Sequence, residues 1–262
     1  GSGSGTDGTL AMTSTTQQSN PPIGENPIGE DLAADLATAA LGLARRFHAG
    51  ATLWVVSPQW EPHAHHVAVE FVHPVIMGKR ALPAVSLVEP DPVAQCRVAV
   101  RPGDVILAVA SADEPDVLDI VRRAAAWGAD TIWIGAGPRP PAGAATHVLW
   151  VDSNDPMVWA TGRFVLMYHL LWELTHVVFE HPGLLEEDHT DAVCVTCSDE
   201  GRLAEVVAPP GADTATALVR TADGEEHVDV SILESVAVHD LLVVHGGVAL
   251  TRLDATADPG ER

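Results

Sequence analysis

Basic side chains are scarce in this sequence: 14 lysines and arginines stand against 36 aspartates and glutamates in 262 residues, a formal charge of -22. Such a surface repels phosphate backbones and anionic lipid headgroups, so neither nucleic acid nor a membrane surface is an expected partner. Cysteine is scarcer still. Three residues cannot all pair, which argues against a secreted disulfide scaffold. No basic stretch leads into an apolar one in the manner of a signal peptide, and a cytoplasmic location is expected. Long uninterrupted apolar runs are also missing: residues 157–179 carry Arg163, His169, Glu173 and His176, each costly in hydrocarbon, and read as a buried helix.

What is present is enough apolar material, 47% of the chain, to build real cores. Residues 1–12 (GSGSGTDGTLAM) have the composition of a flexible linker, and the polar sequence to about residue 30 belongs with them rather than with the fold. Alanine and leucine at helical spacing over residues 31–46 predict a helix, and the β-rich run 50–56 a strand. Then follow a helix near 65–73, strands at 82–88 and 104–110, a helix at 116–127, strands at 131–135 and 147–151, and a long helix from about residue 156. Asp113-Glu114-Pro115 is a good helix start, acidic at the positive end of the dipole and with proline in the first turn. Continuously apolar strands separated by helices imply a parallel sheet covered on both faces.

His181-Pro182-Gly183 and an acidic run at 186–188 interrupt this pattern. Short β-rich stretches follow at 202–208, 215–221, 225–230, 241–245 and 248–253, the content of a small five-stranded barrel. The expected fold class is therefore α/β, a parallel sheet flanked by helices, with a small C-terminal all-β OB-like barrel. The expected divisions are 1–30, 31–185, 190–255 and a tail, 256–262.

The order of elements through residues 31–183, and above all the stretch RPGDVILAVASADEPDVLDIVRRAAAWGADTIWIGA, resembles the sugar isomerase (SIS) fold, in particular the sedoheptulose-7-phosphate isomerase branch. The resemblance implies two loops that cradle a sugar phosphate on hydroxyls, backbone N–H groups and a helix N-terminus. Here the first is Ser57-Pro58-Gln59-Trp60-Glu61-Pro62-His63 and the second Ser111-Ala112-Asp113-Glu114-Pro115-Asp116. Ser57, Ser111 and Asp113 are the candidate ligand positions. Three carboxylates stand where hydroxyl donors are expected, so a phosphate dianion would be repelled. Glu70 falls near the position of the family's catalytic carboxylate, whereas its histidine partner maps close to Phe164, with His169 and His176 further along the helix. These departures lead to the expectation of a catalytically silent domain that serves in homodimerisation or partner binding. His63, His65, His66 and His73 offer a possible metal cluster, but their spacing fits caps and solvated side chains better.

Cys194-Val195-Thr196-Cys197 has four readings. A zinc site lacks two ligands nearby, a redox motif should open a helix, and two packed thiols are a simple alternative. The fourth is a thiolate ligand beside the barrel. The segment Asp240-Leu-Leu-Val-Val-His245-Gly246-Gly247-Val-Ala-Leu-Thr-Arg-Leu253 supports it, because with the upstream cysteine it resembles the HypC/HupF hydrogenase-maturation chaperones. That resemblance implies a metal site of Cys194 or Cys197 with His245, holding iron as Fe(CN)2CO. It also implies as partners a maturation scaffold protein and a [NiFe]-hydrogenase large-subunit precursor. Thiolate and imidazole suit low-spin Fe(II). The function expected from the sequence is thus an assembly chaperone; the alternative is a phosphosugar isomerase or phosphosugar-binding protein.

Overall fold

A computed structural model describes residues 1, 30–88, 90–153, 155, 162–186, 201–211 and 214–253. The first helix, α1 (Glu30–His48), leads into β1 (Leu53–Val56), α2 (Glu61–Val72), β2 (Ala84–Leu87), α3 (Pro92–Ala99), β3 (Val105–Val109), α4 (Pro115–Ala124), β4 (Asp130–Ala136), β5 (His147–Val151) and α5 (Gly162–Glu180). The five strands form one parallel sheet in the order β2-β1-β3-β4-β5. Successive side chains on a strand point to opposite faces, so the apolar run of β3 serves two cores at once. Leu107 and Val109 join α1, α2 and α5 on one side, with Leu43, Phe71 and Phe164. Ile106 and Ala108 join α3 and α4 on the other, with Cys96, Ile120 and Trp127. This is the helix-flanked parallel sheet the strand composition implies.

Helix α3 is the element that sequence periodicity passes over. It is short, and its start signal is local: Pro92 sits in the first turn and the Asp91 side chain accepts a hydrogen bond from Ala94 N at 2.8 Å. Helix α2 begins four residues ahead of the expected start, with Pro62 in its first turn. Helix α5 packs against α1 and α2, and among the described residues no helix is long and apolar enough to cross a membrane.

The remaining strands, β6 (Arg202–Ala208), β7 (Thr216–Thr221), β8 (Gly224–Asp229), β9 (Leu241–His245) and β10 (Val248–Leu253), close into a barrel in the order β10-β8-β7-β6-β9. The sheet is mixed: its pairs are antiparallel except β10 with β8, which meet in parallel at Val248 and Asp229. Its core is built of small residues, among them Ala204, Val206, Ala217, Val219, Val228 and Val244.

The barrel rests on the α3–α4 side of the parallel sheet through a buried charge cluster. Ala204 and Val206 point into the barrel, so Glu205 between them must point out, yet its side chain is only 3% exposed. Its Oε1 accepts from Arg97 Nε and Arg123 Nη1, both at 2.8 Å, and its Oε2 accepts from Trp127 Nε1. Arg220 of β7 donates to the carbonyls of Arg97 and Val100 at 2.7 and 2.8 Å, and Arg123 also donates to His239 O.

Candidate functional site

Helix α2 presents His66 and Glu70 four residues apart on one face, and α5 brings His169 against them. The meeting is tight. Glu70 Oε1 lies 3.3 Å from His66 Nε2 and 3.3 Å from His169 Nε2, while the two Nε2 atoms are 3.2 Å apart. The Tyr168 hydroxyl, from the residue before His169, lies 2.8 Å from His66 Nδ1. Burial and the neighbouring Glu70 charge push the Tyr168 phenol up to about 12, so it stays protonated across the ordinary pH range. Glu70 itself is 17% exposed, sheltered enough to act on a bound molecule and open enough to reach one.

A carboxylate beside two imidazoles can take a proton and have another supplied next to it, which is the equipment of general acid–base chemistry. The same three atoms also form a set that fits a metal ion. Three corners of a tetrahedron around an ion at about 2.0–2.1 Å stand roughly 3.3 Å apart, and two histidines with one glutamate leave a fourth position for water or substrate. A bound zinc-type ion would be held by His66, Glu70 and His169 and would supply Lewis-acid polarisation of an oxygen.

His169 is the histidine of α5 that meets Glu70, and Phe164, near which the resemblance places the family's histidine, does not. Phe164 is buried and packs against the His63 ring, while His176 is held between the carbonyls of Trp172 and Arg80. The signal for His66 with Glu70 is their i, i+4 spacing; the sequence also offers His169 on the long helix, but its meeting with Glu70, about a hundred residues away, depends on how the helices pack. The other histidines of α2 do not join the cluster: His65 bonds Ser86 and Glu61, and His73 caps the helix end.

The candidate ligand loops border a separate cleft of about 350 Å³ at the C-terminal ends of β1, β2 and β3. Its wall includes Ser57, Gln59, Glu61, Glu114 and Asp116. The hydroxyls there are already engaged. Ser57 Oγ lies on the carbonyls of Trp60 and Val109 at 2.9 and 3.0 Å, and Ser111 Oγ is on Gln59 Oε1 at 3.1 Å. Asp113 is exposed and is not part of that wall. Burial first, then the charge of Asp116, raises the Glu114 carboxyl; burial, then Asp91 and Asp119, raises Asp116.

Of the proposed iron ligands, His245 closes β9 and pairs with Val248 across the Gly246-Gly247 turn, both glycines having positive φ. Cys194 and Cys197 lie outside the described residues.

No protein-family model and no curated protein matches this chain. Among solved structures, a phosphoheptose isomerase from Francisella tularensis matches with a TM-score of 0.50 and 18% identity, over 56% of this chain and 90% of the other. A phosphoheptose isomerase from Neisseria gonorrhoeae matches at TM-score 0.46 and 15% identity, over 55% of this chain and 86% of the other. The first likeness establishes the phosphosugar isomerase (SIS) fold for about half the chain. None of these comparisons supports the HypC/HupF family for the barrel.

Proposed function

We propose that this chain uses the His66–Glu70–His169 cluster for proton transfer on a sugar carbonyl, as a phosphosugar isomerase or phosphosugar-binding protein. The observation that carries the reading is one carboxylate oxygen held 3.3 Å from each of two imidazole nitrogens on the helices of an SIS fold. Glu70 removes the proton from the carbon next to the carbonyl, and an imidazole N–H gives one to the carbonyl oxygen, forming an enediol. Glu70 then delivers that proton to the former carbonyl carbon, while the hydroxyl on the carbon first deprotonated gives its proton to the imidazole and becomes the new carbonyl, which completes the aldose–ketose exchange. The acidic cleft wall predicts that the phosphate is held weakly.

Calorimetry and isomer conversion with C6 and C7 sugar phosphates test the proposal. Binding should survive Glu70→Gln while conversion drops by about a hundredfold or more. Absence of heat and of conversion with every sugar would end it.

A second reading concerns the barrel. We propose it on the resemblance of the segment around His245-Gly246-Gly247 to the hydrogenase-assembly chaperones, with the closed, mixed barrel as an OB-like unit. His245 with Cys194 or Cys197 would carry the Fe(CN)2CO unit to a [NiFe]-hydrogenase precursor. Infrared bands of iron-bound cyanide and carbonyl are expected on protein purified without oxygen, and should vanish in His245→Ala; protein made alongside active maturation machinery yet lacking those bands would remove the reading.

A further inference from the structure

The hydrogen bond from α5 to the back of the His66 ring has a consequence for what the cluster can hold. Tyr168 is 1% exposed, and its hydroxyl has one polar contact among the described residues, His66 Nδ1 at 2.8 Å. A phenol is a good donor and a poor acceptor, and an unprotonated imidazole nitrogen is a strong acceptor, so the bond runs from Tyr168 O–H to Nδ1. A neutral imidazole that accepts at Nδ1 carries its proton on Nε2. That proton faces Glu70 Oε1 and His169 Nε2, both acceptors within 3.3 Å. The bonds then run in one direction, from the phenol to His66 and from His66 Nε2 to His169 Nε2, with the Glu70 carboxylate 3.3 Å from the same His66 nitrogen.

A metal ion needs the opposite arrangement. It takes the Nε2 lone pair, which forces the His66 proton onto Nδ1, facing the Tyr168 oxygen. The phenol hydrogen must then turn away, and no second acceptor for it exists among the described residues.

We propose that Tyr168 is a positioning residue that holds His66 with its proton on Nε2, setting the cluster to move protons and to resist a divalent cation. Its importance for turnover rests on the isomerase reading; the tautomer does not.

The test uses the full chain with 15N-labelled histidine at about pH 8, above the ordinary histidine range. The His66 signals are assigned by their loss in His66→Asn. In the unaltered chain His66 Nδ1 should show the shift of an unprotonated ring nitrogen and Nε2 that of an N–H. Tyr168→Phe, which keeps the ring in place, should give a mixture of tautomers. A Zn2+ titration read at the same nitrogens separates this site from any binding at Cys194–Cys197. Zn2+ should bind Tyr168→Phe roughly tenfold more tightly, the equivalent of one ordinary hydrogen bond. A protonated Nδ1 in the unaltered chain, or equal or weaker zinc binding in the variant, overturns the proposal. Because neither readout involves a sugar, the expected tautomer in a protein with no isomerase activity would sink the functional reading alone.

Discussion

Glu205 shows how one side chain can report on more than its own strand. On a barrel strand a glutamate that alternates with core residues should face water, and its sequence context, Leu203-Ala204-Glu205-Val206, suggests nothing else. Burial with two arginines and an indole N–H instead makes it the polar centre of the contact between barrel and parallel sheet. Removing it leaves Arg97 partly buried without its carboxylate and Arg123 with that of Asp119 alone. Glu205→Ala should therefore cost about 3 kcal/mol, whereas Glu205→Gln keeps the acceptor and should cost less. Urea unfolding of both variants measures this; equal, small losses would show that the cluster contributes little. His66, Glu70 and His169 give the complementary lesson. The helical pair could be read from its spacing, but the third member depends on how α2 and α5 pack, and residue types alone do not say that.

Between β3 and α4 the chain makes a helix start that is good for the helix and poor for an anion. Glu114 and Asp116 complement the dipole, but they also face the cleft with their carboxyls raised by burial first and then by neighbouring acids, Asp116 for Glu114, and Asp91 and Asp119 for Asp116. A carboxyl raised in the folded state favours folding below its unfolded value, and that contribution is lost as pH rises through the folded one. Both groups are partly open to solvent, whose screening keeps the effect small. The double variant Glu114→Gln/Asp116→Asn should be slightly more stable than the parent at neutral pH, by less than about 1 kcal/mol, and the gap should close near pH 4. It should also bind sugar phosphates more tightly at neutral pH. Denaturation midpoints at the two pH values and calorimetry check both parts; an unchanged phosphate affinity would mean that these carboxylates do not face the ligand. The neighbouring helix α3 was missed because eight residues hold too few turns to establish a period, although Asp91 and Pro92 mark its start.

Across the whole molecule, the sequence by itself determined the two kinds of sheet. Apolar runs of β3 and β4 can be satisfied only with helices on both faces, and the alternating short strands after residue 201 only by a sheet curled around one small core. Their local pattern carries that information, because strand periodicity and helix starts are set within a few residues. Only the tertiary structure decided that His169 meets Glu70, that Tyr168 directs the His66 proton, and that Glu205 is an interior group. Each of these depends on the rotation and separation of elements packed together from distant parts of the chain, to a tolerance of about an ångström. Many sequences with the same pattern of apolar and polar residues satisfy the fold; side-chain packing between α2 and α5, and between barrel and sheet, selects which polar atoms come within bonding distance.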